Sequence, residues 1–290
     1  MSYKETLEKI TVLQNTWQSA VNQTEIYYLI KRHFDSPLPA GKKNKKAVVI
    51  GYDGCTAEML GYLDNIESGA IKYLLENSGC GVFSFAGGRA YPEDIIQETS
   101  TAPGWCSMLT GVTVEENGID DNGFPKAVEP KTLFISLPEE NKAEKCAFYV
   151  SWGGHFVDDN STYKNEKAYI EEHGINSAFV CAEGDEGTRE NILSDITSPE
   201  CSDFIFSIFE FCDENGHGYD YRPEVKEYMK AFTDSDKVGM EIISAIKNRP
   251  TFDSEDWLVL VTSDHGGIRC GHGGPSLQER ITFIVSNKEI

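Results

Sequence analysis

AVVIGYDG, at residues 47–54, is a short run of apolar side chains that ends on an aspartate and a glycine. Two later stretches repeat this arrangement, IFEFCDENGH at residues 208–217 and VLVTSDHGG at residues 259–267. Short apolar runs that end at turn residues are typical of strands buried on both faces of a parallel sheet. In open α/β sheets the ligand site lies beyond the carboxyl ends of the strands. The polar residues that close these runs are therefore the first candidates for function.

The chain beyond these stretches alternates between further apolar runs and helical patterns. Helices are predicted over residues 58–77, 103–110 and 223–247. This alternation indicates an α/β fold, with a mostly parallel central sheet and helices on both faces. The predicted strands are 47–51, 82–85, 147–151, 204–211, 257–262 and 281–285.

The first 41 residues have a different pattern. Apolar side chains at mostly helical spacing between residues 3 and 34 predict one or two amphipathic helices, and SPLPAG at residues 36–41 ends them. We therefore divide the chain into an N-terminal helical appendage, residues 1–41, and a catalytic domain, residues 42–290. The segments 120–145 and 156–202 have weaker periodicity, and we expect loops or a small cap there.

The composition argues against several classes of function. A formal net charge of -21 would repel a polyanion, so we expect no nucleic-acid polymer as a partner. No apolar run approaches the roughly 18 residues that a membrane span needs. The eight cysteines show no CxxC spacing, which argues against a zinc finger. We expect a cytoplasmic protein that does not contact a membrane.

Polar residues near the strand ends form a set of three aspartates and three histidines. Each of them alone is more often a turn former, a helix cap or a structural histidine. Together they suffice for two metal sites, because carboxylates and neutral imidazoles suit zinc, manganese or iron better than calcium. We expect two divalent ions, with zinc as the first choice and manganese as the alternative. The candidates are Asp53, Asp213, His217, Asp264, His265 and His272.

A candidate nucleophile lies in ETSTAPGW, residues 98–105, at the start of a predicted helix. On these residues alone, a simple helix cap by Thr99, Ser100 or Thr101 is the better interpretation. The same position also suits catalysis, because a hydroxyl at a helix N-terminus lies beside N–H groups that favour a phosphate anion. A neighbouring metal ion would lower the pKa of that hydroxyl.

Taken in chain order, these motifs resemble those of the alkaline phosphatase superfamily, and within it the type I phosphodiesterase and nucleotide pyrophosphatase group. The resemblance runs from about Lys46 to Asn287. It is carried by the strand that ends at Asp53, T-x-P at 101–103 with Thr-Gly at 110–111, D-x-x-x-H at 213–217, Asp264-His265, and the final His272.

The resemblance implies a mechanism and a division of the ligands. Thr101 would attack phosphorus and form a phospho-threonine intermediate, and Asn122 would contact a phosphoryl oxygen. The substrate would be a small phosphate ester or a nucleotide-like molecule. The implied metal sets are Asp213, His217 and His272 for one ion, and Asp53, Thr101, Asp264 and His265 for the other.

Other functions remain as alternatives. A phosphomonoesterase of the same superfamily, or a non-catalytic protein that binds phosphate ligands through metal ions, would use the same ligands. A sulfatase is disfavoured, because Thr101 and Trp105 replace the Cys or Ser and the Arg of its motif. The extracellular nucleotide enzymes have Asn at the position of Gly104 and a long insertion before the final histidine. Substrate recognition is therefore not carried over.

Overall fold

The computed structural model describes residues 18–123 and 131–290, and the helices predicted within the first 17 residues lie outside this part of the chain. The strands are β1 (Gln18–Asn22), β2 (Asn44–Tyr52), β3 (Cys80–Phe85), β4 (Cys146–Val150), β5 (Ser177–Cys181), β6 (Phe204–Phe209), β7 (Glu255–Thr262) and β8 (Ile281–Ser286). The α-helices are α1 (Glu25–Asp35), α2 (Ala70–Glu76), α3 (Thr101–Thr110), α4 (Val114–Asn117), α5 (Leu133–Glu139), α6 (Lys164–His173), α7 (Gly184–Thr197), α8 (Phe211–Tyr219), α9 (Lys226–Lys247) and α10 (Leu277–Arg280). Short 3-10 helices span Ala57–Asn65, Gly153–His155 and Phe252–Ser254.

The eight strands of the described chain form one sheet in the order β1-β3-β8-β7-β2-β6-β4-β5. Neighbouring strands are parallel, except that β8 runs antiparallel to both β3 and β7. The predicted α/β fold with a mostly parallel sheet is confirmed, and each of the six predicted strands is present. The three strands β7, β2 and β6 lie side by side near the middle of the sheet.

Both faces of the sheet are covered, as the apolar composition of the strands predicts. Along β2, Val48 and Ile50 join one apolar cluster while Ala47 and Val49 join the other. Helices α2, α7 and α9 contribute to the first cluster, and α1, α3, α5 and α6 contribute to the second. Of the helices in residues 18–123 and 131–290, none has the length and apolar character needed to cross a bilayer.

The start of the described chain differs from the prediction of helices over residues 3–34. Residues 18–22 form β1, which pairs in parallel with β3 at the edge of the sheet, so the helical assignment is wrong there. The strand is favoured because the edge of β3 supplies backbone hydrogen-bond partners that local spacing does not reveal. Helix α1 is present, with Ile26, Leu29 and Ile30 buried. The domain boundary at residue 41 stays a prediction.

The segment 156–202 also differs, because loops or a small cap were expected. It contains α6, β5 and α7, and β5 extends the sheet by pairing in parallel with β4. Its strand was missed because it is a short edge strand with most side chains only half-buried. Helix α7 was missed because its buried residues stand among charged ones. In the segment 120–145, α5 is helical, and residues 124–130 lie outside the described chain.

Candidate active site and metal centre

The candidate ligands meet at the carboxyl edge of the three central strands. Asp53 directly follows β2, while Asp264 and His265 follow β7 after a single serine. Asp213 lies in the first turn of α8, which begins just after β6, and His217 is one helical turn further on. Because β7, β2 and β6 are adjacent and parallel, their carboxyl ends place these side chains together.

Asp53 is fully buried and has hydrogen-bond donors on both carboxylate oxygens. The indole Nε1–H of Trp105 donates to Oδ2 at 2.8 Å, and the Thr101 hydroxyl donates to Oδ1 at 3.4 Å. The Trp105 ring passes beneath Gly51, where a Cβ atom would lie 2.5 Å from it. The glycine of AVVIGYDG therefore leaves the space that the tryptophan needs to reach the carboxylate.

His265 is fully buried, and its Nε2 atom faces three carboxylates. The distances from Nε2 are 3.4 Å to Asp53 Oδ1, 3.5 Å to Asp264 Oδ2 and 4.0 Å to Asp213 Oδ1. Within the described residues Nε2 has no hydrogen-bond partner, and neither has Asp264 Oδ2. A buried nitrogen surrounded by carboxylate oxygens at these distances has the donor chemistry of a metal site.

The three histidines share one hydrogen-bond pattern. Nδ1 of His265 lies 2.7 Å from the carbonyl oxygen of Gly266. Nδ1 of His272 lies 3.1 Å from the carbonyl oxygen of Thr99, and Nδ1 of His217 lies 3.1 Å from that of Cys270. A carbonyl can only accept, so Nδ1 carries the proton and Nε2 keeps its lone pair. The Nε2 atoms of His272 and His217 then face each other at 3.1 Å. This arrangement, in which backbone groups fix the tautomer, is characteristic of metal-bound imidazole.

The electrostatics of the site require positive charge. Burial raises the pKa of Asp264 well above its usual range, and the neighbouring Asp53 adds to this. Burial lowers the pKa of His265, but the carboxylates of Asp264 and Asp53 outweigh it and raise the pKa to about 10. A proton on His265 Nε2 and a divalent cation are thus alternative ways to neutralise the same carboxylates.

Two groups of side chains are close enough to share an ion. In each group the ligand atoms lie within 4.8 Å of one another. The first group, Asp213, His217 and His272, is the same as the first metal set that the resemblance implies. The second group contains Asp213 in the place of Asp264 in the second implied set. Asp213 belongs to both groups, so one carboxylate lies between the two positions. The groups are Asp213, His217 and His272, and Asp53, Asp213 and His265.

Thr101 is the first residue of α3, and Ser100 is its N-cap without a side-chain cap bond. The hydroxyls that a capping role would use point elsewhere, since Thr99 donates to the carbonyl of Gly274 and Ser100 donates to Glu98. Thr101 donates to Asp53 instead. The simple helix-cap interpretation therefore does not describe these three side chains.

Two further residues of the motif have visible positional roles. Asn122 accepts a hydrogen bond from the backbone N–H of Ala102 at 2.8 Å, which ties it to the first turn of α3. A Cβ atom on Gly104 would lie 2.8 Å from Cβ of Asp264. A larger residue at position 104 would therefore push α3 away from the end of β7.

Several side chains that contact the candidate ligands, or the helix that carries two of them, were not found from the sequence. Trp105 is one, and Tyr221 is another, because its hydroxyl donates to Asp213 Oδ1. Asp185, in the first turn of α7, bonds the backbone at the start of α8. These contacts join residues that lie apart along the chain, and no local motif marks them.

A comparison with family models matches residues 47–273 to the type I phosphodiesterase / nucleotide pyrophosphatase family. The match covers most of the chain and contains every candidate ligand. The chain belongs to this family. The family predicted from the motifs is thereby confirmed, and its members act on phosphoric esters. A comparison with curated proteins gave no match.

Two solved structures of similar fold are ectonucleotide pyrophosphatase / phosphodiesterases. The mouse ectonucleotide pyrophosphatase / phosphodiesterase 5, in an inactive form in complex with AMP, is 17% identical with a TM-score of 0.53, over 79% of this chain and 59% of that one. The human enzyme of the same name is 17% identical with a TM-score of 0.51, over 76% and 57% of the two chains. The present chain thus spans less than two thirds of these enzymes, and the likeness shows the fold alone.

Proposed function

We propose that this protein is a two-metal phosphoric ester hydrolase of the phosphodiesterase type, with Thr101 as its nucleophile. The observation that carries the proposal is the position of the Thr101 hydroxyl. It lies at the start of a buried helix and donates to Asp53. Asp53 also accepts from the indole of Trp105 and lies 3.4 Å from Nε2 of His265, an atom without a hydrogen-bond partner in the described part of the chain. A hydroxyl beside a metal ligand is placed to act on a phosphoryl group held by the same ions.

The residues present fit two divalent ions. His217 and His272 with Asp213 would hold one ion, and His265 with Asp53 and Asp264 or Asp213 would hold the other. Zinc is the first choice because each set combines imidazole nitrogen with carboxylate oxygen, and manganese is the alternative. When bound, such ions lower the pKa of a neighbouring hydroxyl and offset the charge of a phosphoryl group.

The protein's own residues then account for the remaining chemistry. Thr101 Oγ1 forms a bond to phosphorus as the bond to the leaving alcohol breaks, and water later cleaves the phospho-threonine to restore the hydroxyl. Trp105 holds Asp53 in place through its indole N–H. Asn122 is held at the first turn of α3, beside the nucleophile, where we propose that it contacts a phosphoryl oxygen.

A diester is the proposed substrate, because its single negative charge needs less positive charge from the site than the two charges of a monoester. In residues 18–123 and 131–290, no lysine or arginine side chain bonds to Thr101 or to a candidate ligand. Arg89 is paired with Glu115, and Arg189 is paired with Glu186 and Glu241. A nucleotide-like substrate belongs to the same proposal, since the mouse enzyme of this fold was solved with AMP. So does a cytoplasmic location, which is supported by the eight cysteines, all of them free thiols.

The test compares two chromogenic substrates on zinc-loaded enzyme. We expect bis(p-nitrophenyl) phosphate to be cleaved with higher kcat/KM than p-nitrophenyl phosphate. Thr101→Ala should lower kcat by about a thousandfold or more, since the nucleophile is lost. Thr110→Ala, at the other end of the same helix, is the matched control and should stay within a few-fold of wild type.

Each alternative function has its own result in this experiment. Faster cleavage of the monoester would identify a phosphomonoesterase. Bound zinc without turnover of either substrate would support a non-catalytic binding protein. Full activity of Thr101→Ala would exclude the threonine mechanism.

A further inference from the structure

Asp185 is a buried aspartate that no ligand motif contains, and it lies in the first turn of α7. Its carboxylate accepts three hydrogen bonds. Ser151 donates its hydroxyl to Oδ1 at 2.7 Å, the backbone N–H of Glu210 donates to Oδ1 at 2.9 Å, and the backbone N–H of Phe211 donates to Oδ2 at 2.7 Å. Asp185 therefore joins the ends of β4 and β6 to the start of α7.

Glu210 and Phe211 are the N-cap and the first residue of α8. The first N–H groups of a helix have no partner within the helix, and a carboxylate bonded to them also interacts favourably with the positive end of the helix dipole. Within the described residues, the Glu210 side chain makes no cap bond at this end. The cap is supplied by Asp185, which precedes these amides by 25 and 26 positions in the chain.

Helix α8 carries two candidate ligands of one metal position, Asp213 and His217. Both lie within two turns of the capped end, so the direction of the first turn determines where their side chains point. Tyr221 reaches Asp213 from beyond the far end of the helix. The near end has Asp185 as its side-chain anchor.

We propose that Asp185 is a positioning residue for the metal centre, which sets the orientation of α8 and thereby the affinity of the Asp213, His217 and His272 group for a divalent cation. This inference rests on the proposed function for the presence of the cation. It assigns a role to the segment 164–197, which contributes no candidate ligand itself.

The preceding helix of the chain, α6, offers a matched control. Glu166 in α6 is also a buried carboxylate that caps the start of another helix. Its Oε1 accepts hydrogen bonds from the backbone N–H of Thr132 at 3.0 Å and from the Thr132 hydroxyl at 2.6 Å. Thr132 is the N-cap of α5, which holds no candidate ligand. Removal of either carboxylate removes the cap of a buried helix. Only the removal of Asp185 should change the zinc affinity of the Asp213, His217 and His272 group.

The experiment measures zinc affinity by competition with a chromogenic chelator, together with the thermal unfolding midpoint, for the full chain. Asp185→Ala should weaken the binding of one of the two zinc ions by about tenfold or more, in the range found for residues that orient metal ligands. Asp185→Asn should weaken it less, because one oxygen acceptor remains while the amide N–H₂ faces a backbone N–H. Glu166→Ala should lower the unfolding midpoint without changing either zinc affinity.

The outcomes separate the inference from the function it rests on. If wild type binds two zinc ions and both Asp185 variants bind them equally well, Asp185 is a structural cap and the inference is wrong. An equal loss of zinc affinity in Glu166→Ala would also overturn the inference, because general destabilisation would explain both losses. A wild-type protein without zinc affinity would overturn the inference and the two-metal function together. If Asp185→Ala does not fold, Asp185→Asn decides.

Discussion

At the residue scale, Trp105 shows how a side chain outside the ligand set can control it. Its indole N–H is the donor to Asp53 Oδ2, at 2.8 Å inside the core. Trp105→Phe keeps most of the packing under Gly51 but leaves that carboxylate oxygen without its donor. We expect kcat/KM to fall about tenfold, which is about 1.4 kcal/mol, a magnitude typical of lost hydrogen bonds to charged groups. Steady-state kinetics with bis(p-nitrophenyl) phosphate would measure this. An unchanged kcat/KM would show that the indole only fills space.

The stability of the fold at acid pH depends in part on one buried residue, His155. It is fully buried among aromatic rings, and neither ring nitrogen has a hydrogen-bond partner in the described residues. Burial lowers its pKa from 6.5 to about 3. The unfolded chain therefore binds a proton that the folded chain refuses, and stability is lost as the pH falls below 6.5.

The difference in proton binding by His155 between the folded and the unfolded chain predicts a measurable loss of stability. Between pH 7 and pH 5 the unfavourable protonation of His155 should lower the free energy of unfolding by about 2 kcal/mol. His155→Phe cannot be protonated, so urea titrations at the two pH values should show a loss smaller by about that amount. Equal losses in the two proteins would mean that the pKa of His155 is the same in the folded and the unfolded chain.

The residues of the site differ in how well the sequence predicts them. Asp53 directly follows an apolar run, and Asp264 and His265 follow another after a short polar stretch. The rule that sites lie at strand ends therefore selects these residues from the sequence. Trp105 and Asp185 act through distant partners, and only the packed structure brings those partners together. The position of Asp213 between both ligand groups likewise depends on how α8 leaves β6.

At the scale of secondary structure, the strands buried on both faces were predicted and the edge strands were not. In β2 and β7 nearly every side chain is buried, which produces a continuous apolar run. The edge strands β1 and β5 have the sequences QSAVN and SAFVC, and every side chain of β5 is half-buried or exposed. Their strand character comes from hydrogen bonds to β3 and β4, and these partners are distant in sequence.

The contact of α1 with the core gives a test of how the start of the described chain belongs to the fold. Ile30 is fully buried in the cluster that also contains Val49 and Leu109. Ile30→Ala should therefore lower the free energy of unfolding by about 2 to 5 kcal/mol, as for other large-to-small changes in a core. Urea denaturation followed by fluorescence would measure it. Tyr28 is an exposed residue of the same helix, so Tyr28→Ala is the control and should lower the free energy of unfolding by less. A separate early transition in Ile30→Ala would indicate an independent appendage.

At the scale of the whole molecule, the candidate ligands of the proposed metal centre follow β2, β6 and β7, which lie near the middle of the sheet. A cation that binds these side chains in the folded state alone must stabilise the entire domain. At a free zinc concentration of about a thousand times Kd, the gain is about 4 kcal/mol. We expect the thermal unfolding midpoint to rise when zinc is added to chelator-treated protein.

The comparison ion for this experiment is calcium, which prefers oxygen ligands and should give a much smaller rise. His265→Ala should lose most of the zinc effect, because it removes the nitrogen that faces three carboxylates. A zinc-independent midpoint in wild type would contradict a folded-state metal centre.

The hydrogen bonds from the three histidines to backbone carbonyls have a consequence for selectivity. Each ring is oriented, and its tautomer chosen, as part of the folded backbone. If the proposed cation binds here, it meets imidazole rings whose orientation the backbone has already fixed. Ligands at a fixed spacing favour cations of matching size and preferred geometry. The fold would therefore give the site different affinities for different metal ions.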